Sequence, residues 1–371
     1  MIATSLTRTP QPAGARNGVA TMPLRSRNPL WIEDSARYPG PVRLANKAAT
    51  ILNLRTASQL GELLDTVRPD VLHTHSMVEL PPAVWARAQA RGVAVVHTLH
   101  DFDLLCIRGA LFKDGRRCEP RHLACRLLSA PKRAAHHHID AVAAVSAPVL
   151  DRHLQHGLFA HLPEDRRRTI WNPAVPPAAD ARRAGRLPGA AHRFGFLGRL
   201  VSQKGLGVLI EACRRLPQAG WTLTIAGAGP EEAGFHAAAA GLPIEFVGHV
   251  TPATYLAGVD TLVTVPIWDE PFGLTTLEGY AAGCRVIGAD VGVIGAFIAR
   301  VDPGWTVASG DVDALVDAMV RAMAAHTPVS VERARSLLDE LAPTLVAERY
   351  VCLYEDALTA RRNASREDTV Q

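Results

Sequence analysis

Pro266-Ile267-Trp268-Asp269-Glu270-Pro271-Phe272-Gly273-Leu274-Thr275-Thr276-Leu277-Glu278-Gly279 lies between two short apolar runs, 261–265 and 285–288. Each run reads as a buried strand, and the residues after Gly273 read as the helix that joins them. Pro271 and Gly273 keep Glu270 out of that helix, whereas Glu278 falls within its first turns. If all eight steps between the two carboxylates were helical they would span about 12 Å, and a bent loop brings them closer. In a parallel unit such groups collect at the carboxyl ends of the strands. Carboxylates accept hydrogen bonds from vicinal hydroxyls, so one could hold a ribose and the other a sugar ring. Two other readings stay open at this point: ion pairing on the surface, and a pair of carboxylates across a scissile glycosidic bond.

Working outward, the same alternation fills the C-terminal half. Strands are expected at 194–197, 221–226, 244–247, 261–265 and 285–288, with helices at 205–216, 230–240, 252–258 and 274–282 between them. Toward the N-terminus a helix at 44–67 leads to a strand at 71–73, followed by a helix at 82–91 and a strand at 93–96. A helix at 131–138, a strand at 141–145 and a helix at 148–155 continue the series. Strands that alternate with helices imply parallel sheets, so the fold class is α/β with two doubly wound domains. The Pro- and Ala-rich segment 173–190 is the expected linker, dividing an N-terminal domain (1–172) from a C-terminal one (191–342). A helix at 343–362 buries one apolar stripe made of Val346, Tyr350, Leu353, Tyr354 and Leu358, and 363–371 reads as a tail. Residues 1–45 are rich in Pro, Arg, Thr and Gly with little periodicity and read as loop, tail or an incomplete first element.

Two further clusters bear on the chemistry. After strand 194–197 the chain reads Gly198-Arg199-Leu200, then Gln203-Lys204-Gly205 at a helix start, so two cations and free backbone N–H groups meet in one place. That is an anion site: Arg grips a phosphate with parallel N–H bonds, and the helix end adds partial positive charge. After strand 221–226, Gly227-Ala228-Gly229-Pro230 lets backbone approach a ligand. It lacks the GxGxxG spacing of a dinucleotide site and the Lys-Ser/Thr of a P-loop, so nicotinamide and ATP readings recede.

The 371 residues are 48% hydrophobic and 20% charged, with a net charge of +4, enough apolar content for two cores and no demand for nucleic acid. Basic residues cluster in 1–55 and 108–133, which suits a phosphate-bearing partner or peripheral membrane contact. No run of about 20 apolar residues and no signal-peptide core is present, so a cytoplasmic protein is expected, if membrane-associated then only peripherally. Six cysteines do not make a disulfide framework in a chain this long. Cys106, Cys118, His122 and Cys125 could bind zinc, but their spacing fits no standard module and idle thiols are the simpler reading.

The ordered series Gly198-Arg199-Leu200, Gln203-Lys204-Gly205 and Glu270-Pro-Phe-Gly-x4-Glu278 resembles the retaining GT-B glycosyltransferases of family 4, over about 69–354 and most strongly over 194–288. The resemblance implies two Rossmann-like domains facing a central cleft. It also implies a nucleotide-diphosphate sugar as donor, with the hydroxyl of a glycan or lipid-linked molecule as acceptor. On it, Arg199 and Lys204 hold the donor diphosphate, Glu278 the ribose, and Glu270 with the Phe272-Gly273-Leu274 backbone the transferred sugar. Gly229 and the stretch Gly248-His249-Val250 line the base, and His100 stands in the N-terminal domain facing the donor sugar, with His97 as competitor for that place. His73 and His75 are expected to be structural or on the acceptor side. No metal or other cofactor is implied.

Against the same family, residues 1–45 lack a convincing first strand and Gly-rich loop, and Val291-Gly292-Val293-Ile294-Gly295 replaces the usual acidic residue of that loop. A nucleotide-sugar-binding partner subunit without turnover is therefore the alternative to an active transferase. A sugar epimerase of the same fold would need a carboxylate and histidine pattern that is absent here.

Overall fold

The computed structural model describes residues 2–9, 11–31, 34, 37–174, 190–325 and 327–370. Most of the expected linker, 175–189, lies outside the described residues. The N-terminal domain contains helices α1 (Gly40–Ile51) and α2 (Leu54–Val67), strand β1 (Val71–Thr74), α3 (Ala83–Gln89), β2 (Ala94–Leu99), α4 (Leu123–Ala135), β3 (Ala141–Ala144), α5 (Ala147–Gln155) and β4 (Arg167–Thr169). Its four strands are parallel, in the order β4-β3-β2-β1. β2 and β3 are buried along their whole length, as expected of near-continuous Val and Ala runs covered on both faces.

The single helix expected at 44–67 is two. Asn53 interrupts it: its side-chain oxygen accepts the N–H of Thr56 at 3.2 Å and so caps α2, while its amide donates to Asn28 at 2.8 Å. The N-terminal stretch also departs from the loop reading. Gly14–Arg16 and Val19–Thr21 pair antiparallel around Asn17-Gly18, both with positive φ, and Ile2–Ala3 pairs with Val19–Thr21 in parallel. Asn-Gly is a strong hairpin signal in its own right, since both positions of the turn require φ > 0. These three strands form one small sheet of their own, and among the described residues none joins the β4-β3-β2-β1 sheet.

The C-terminal domain contains β5 (His192–Leu197), α6 (Leu206–Arg215), β6 (Trp221–Ala226), α7 (Glu232–Ala238), β7 (Ile244–Gly248), α8 (Pro252–Leu256), β8 (Thr261–Thr264), α9 (Leu274–Ala281) and β9 (Arg285–Ala289). α10 (Ile294–Val301), β10 (Thr306–Val307), α11 (Val312–Ala324) and α12 (Val331–Asp339) follow. Asp311 and Ser330 cap α11 and α12 with their side chains, the local signals that start them. The parallel sheet runs β7-β6-β5-β8-β9-β10, which reverses direction between β5 and β8. Such a switch point leaves a crevice outside the carboxyl ends of the two strands, because their connections depart to opposite sides.

α13 (Pro343–Val370) continues past the expected end at 362 and lies on the N-terminal sheet. Val346, Leu353 and Ala357 are buried with Ala94, Val96, Ala141, Ala143 and Ile170. Tyr354 reaches His73 Nδ1 at 2.8 Å, Tyr350 reaches Thr98 at 3.0 Å, and Arg361 pairs with Asp140 at 2.5 Å. The last helix of the chain thus completes the cover of the first domain.

Candidate active site

The switch point brings together the two segments singled out in the sequence. The loop after β5 carries Arg199 and Lys204, and the loop after β8 carries Glu270. Gly205 makes their meeting possible: its φ is +76°, and a Cβ there would lie 1.7 Å from the carbonyl oxygen of Val265. No other residue lets the two backbones pass so close. Lys204 Nζ donates to Glu270 Oε2 at 2.7 Å, and the indole N–H of Trp268 donates to the same oxygen at 2.9 Å. The ammonium also stands 5.6 Å from the centroid of the Trp268 ring. Glu270, with only 12% of its side chain exposed, is therefore held in one position by two donors.

Gly273 ends the loop in the left-handed region (φ 70°, ψ 47°), where its missing Cβ spares a 2.7 Å clash with Ile294, and α9 starts directly after it. Glu278 projects from α9, half-buried, and burial raises its carboxyl above the usual range. Among the described residues its side chain has no ion-pair or hydrogen-bond partner. A partly desolvated carboxylate without a donor retains free acceptor capacity. Phe272 is buried against Phe297, ring centroids 5.6 Å apart and nearly perpendicular, so the segment offers backbone rather than the Phe272 ring to a ligand. Leu274 is 45% exposed at the first position of α9.

Gly229 lies against the Leu200 backbone, and Leu200 N–H donates to Ala228 at 3.0 Å while Gly227 N–H donates to Gly248 at 2.7 Å. The Gly227–Gly229, Gly248–Val250 and Gly198–Leu200 segments are therefore adjacent at the ends of β6, β7 and β5, with His249 exposed and Val250 half-buried. Arg199 is exposed and lines a cavity shared with the N-terminal domain.

The histidines separate clearly. His97 is fully enclosed, hydrogen-bonded through Nδ1 to Thr74 at 2.9 Å and edge-on to Trp85, and burial holds its pKa down to about 3. His100 lies at the rim, half-buried, with Nε2 3.0 Å from Nδ1 of His75, and burial followed by His75 lowers its pKa to about 4. It is a neutral imidazole at pH 7. His73 is bonded to Thr98 and Tyr354 and serves the packing of α13.

Sequence reading missed the groups that tie the Glu270 loop to the other domain. Ser146 Oγ donates to the carbonyl of Pro271 at 2.5 Å, and Asp269 is gripped by Arg152 at 3.1 Å and Arg117 at 2.9 Å. No local pattern could pair residues more than a hundred positions apart: Asp269 and Pro271 flank Glu270 in its loop, but nothing in the sequence points from them to Ser146, Arg152 or Arg117. Among the described residues the ligand atoms of Cys106, Cys118, His122 and Cys125 do not converge as one group. Cys106 and Cys125 sulfurs lie 3.9 Å apart, but His122 is exposed, and among the described residues the group that could converge on a metal is His136, His137 and His161.

With this geometry in place, comparison with known proteins gives a consistent answer. Residues 16–175 match the model of Glycosyltransferase Family 4 and residues 191–325 that of Glycosyl transferases group 1. The chain is 26% identical over 281 residues to a Klebsiella pneumoniae protein named "Uncharacterized 42.6 kDa protein in cps region", covering 75% of this chain and 72% of that one. Among solved structures, the apo lipopolysaccharide outer core galactosyltransferase WaaB superposes with a TM-score of 0.61 at 14% identity, over 91% of this chain and 84% of that one. Anabaena HepE in complex with UDP and glucose superposes with a TM-score of 0.55 at 14% identity, over 95% and 87%. No helix of the described residues is long and apolar enough to cross a membrane. Two parallel sheets, a cationic loop bonded to Glu270 at a switch point, and both family matches in chain order lead to one assignment: the chain is an enzyme of the group 1, family 4 glycosyltransferases, with the GT-B fold.

Proposed function

We propose that this enzyme moves a sugar, with retention at the anomeric carbon, from a nucleotide-diphosphate sugar to a hydroxyl of a glycan or lipid-linked acceptor in cell-surface polysaccharide synthesis. The observation that carries the reading is the asymmetry of the two carboxylates: Glu270 is fixed by Lys204 and Trp268, whereas Glu278 is partly desolvated and unpartnered among the described residues. Glu278 takes the ribose hydroxyls, Glu270 and the Phe272-Gly273-Leu274 backbone take the sugar, and Gly229, His249 and Val250 border the base. Arg199, Lys204 and the N-terminal end of α6 meet the diphosphate, so the reading needs no metal.

In the reaction the bond from the anomeric carbon to the β-phosphate oxygen breaks, and its electron pair stays on the phosphate beside Arg199 and Lys204. The acceptor oxygen bonds to the anomeric carbon on the same face, and its proton passes to the departing phosphate. Neutral His100 hydrogen-bonds the sugar near that face. The similarity to a protein of a cps region and to a lipopolysaccharide galactosyltransferase supports the acceptor class, and the UDP bound by HepE supports a nucleotide donor. Val42 and Leu44 on α1 and Leu123 and Leu127 on α4 are exposed beside Arg43 and Arg126, a surface suited to peripheral contact with an anionic membrane.

Hydrolysis of a panel of UDP-, GDP- and ADP-sugars tests the reading. One donor class should release nucleotide, and Glu270→Ala should slow the release at least about a hundredfold; tight binding of every donor without release by the wild type would overturn it.

A further inference from the structure

A cavity of about 380 Å³ opens between α1, α4 and the loop after β2, and reaches Arg199 across the cleft. Its charged lining is lopsided: Arg43, Lys47, Arg108, Lys132 and Arg199 stand against Asp101 and Asp103. One of these carboxylates is already engaged, since Asp103 pairs with Lys132 at 3.3 Å and accepts the Met77 N–H at 3.0 Å. The other, Asp101, accepts the Asp103 N–H at 2.8 Å, and burial together with Asp103 pushes its carboxyl up to about 6. Among the described residues Arg43, Lys47, Arg108 and Arg199 form no ion pair. Burial lowers the Lys47 pKa and Lys132 lowers it further, with Glu79, Asp103 and Asp101 offsetting only part of that.

Unpaired cations crowded into a concave site call for an anion with several oxygens, and Arg forks with Lys point charges fit phosphate geometry. The donor diphosphate does not account for them. Lys204, the cation that goes with Arg199 in that role, is turned to Glu270 and does not line the cavity, whereas four of the five lining cations belong to the N-terminal domain. Resting on the donor reading above, we propose that the cavity binds a phosphate or diphosphate group carried by the acceptor, so that Arg199 lies between the acceptor's anionic group and the donor's. The acceptor is thereby a phosphorylated molecule, whose phosphate comes either from a lipid diphosphate or from a soluble phosphorylated glycan.

Calorimetric titration of inorganic pyrophosphate into the full chain tests this. The Lys204→Met background is used, because it disables the donor diphosphate subsite whatever the donor proves to be. Pyrophosphate should bind there, and adding Arg43→Gln with Lys47→Met should raise its Kd at least tenfold. Arg108→Gln, at an exposed position with little bearing on folding, should raise it about threefold. Absence of binding, or binding indifferent to all three changes, would overturn the proposal. Competition by glucose 6-phosphate identifies a soluble source and stronger competition by a micellar alkyl-diphosphate glucose a lipid source, while equal competition by uncharged methyl glucoside would contradict both. Nucleotide affinity of the wild type against Lys204→Met is read separately, so failure of the donor reading shows there and not in the pyrophosphate titration.

Discussion

The two domains are built from the same β-α repeat, yet among the described residues only the C-terminal one has a switch point. In the C-terminal sheet the order β7-β6-β5-β8-β9-β10 reverses between β5 and β8, and the loops after those two strands hold Arg199, Lys204 and Glu270. In the N-terminal sheet the described strands run β4-β3-β2-β1 in one direction, and the side chains at their carboxyl ends are histidines and the Asp101–Asp103 pair. A sheet with a reversal supplies a binding crevice from its own topology; a sheet without one supplies a wall that the other domain must complete. The contacts of Pro271 with Ser146 and of Asp269 with Arg152 and Arg117 show where this wall is joined.

The sharpest way to break the comparison is Glu270→Ala. It removes the acceptor of two hydrogen bonds in the C-terminal crevice and strands Lys204, and donor turnover should fall by about 10²–10³-fold while the protein stays folded at a lowered melting temperature. A loss confined to KM would mean that Glu270 serves binding alone. A second test concerns what holds the N-terminal domain. Leu353 is fully buried between α13 and the sheet, so Leu353→Ala should cost about 2–5 kcal/mol by urea denaturation. Hydrogen exchange should then rise in β1–β3 before β5–β8, and uniform loss would show that the domains unfold as one unit.

Acid should separate the domains in the same sense. His97, His100 and His153 have folded pKa values depressed to about 3, 4 and 4, below the unfolded value near 6.5. Below 6.5 the unfolded chain binds protons that the folded one does not. Their stabilisation is thus complete above pH 6.5 and lost as pH falls through the folded values, about 4 for His100 and His153 and about 3 for His97. Amide protection in β2 should decline between pH 7 and 5 more than in β6, and equal decline would remove these histidines from the account. The smallest effect is expected at the seam: Arg117 is 47% exposed, so Arg117→Ala should cost under about 1 kcal/mol of stability.

Much of this was legible in the chain itself, for reasons that differ by region. β6 falls at 221–226 as expected, and β5, β8, β9, α6 and α9 fall within two residues of expectation, because buried parallel strands are apolar runs bounded by glycine. The carboxylates and the cationic loop were visible because their chemistry is local to one turn each. What stayed hidden is long-range or locally ambiguous. Asn53 splits a helix that periodicity alone runs through, and the Asn17-Gly18 turn was lost in a segment of low apolar content. The Lys204–Glu270 contact depends on a backbone approach at Gly205 that spacing cannot reveal. Nor can composition show that Arg43, Lys47, Arg108 and Lys132 line one cavity, since three separate segments bring them there.

The most direct test of the central claim, that the C-terminal crevice holds the nucleotide through a ribose carboxylate, is calorimetric titration of UDP, GDP and ADP into wild type, Glu278→Ala and His100→Ala. One nucleotide should bind the wild type, with affinity reduced about 10–100-fold by Glu278→Ala, the worth of a charge-assisted hydrogen-bond pair, and unaltered by His100→Ala. Undiminished binding in Glu278→Ala, or an equal loss in His100→Ala, would contradict the account.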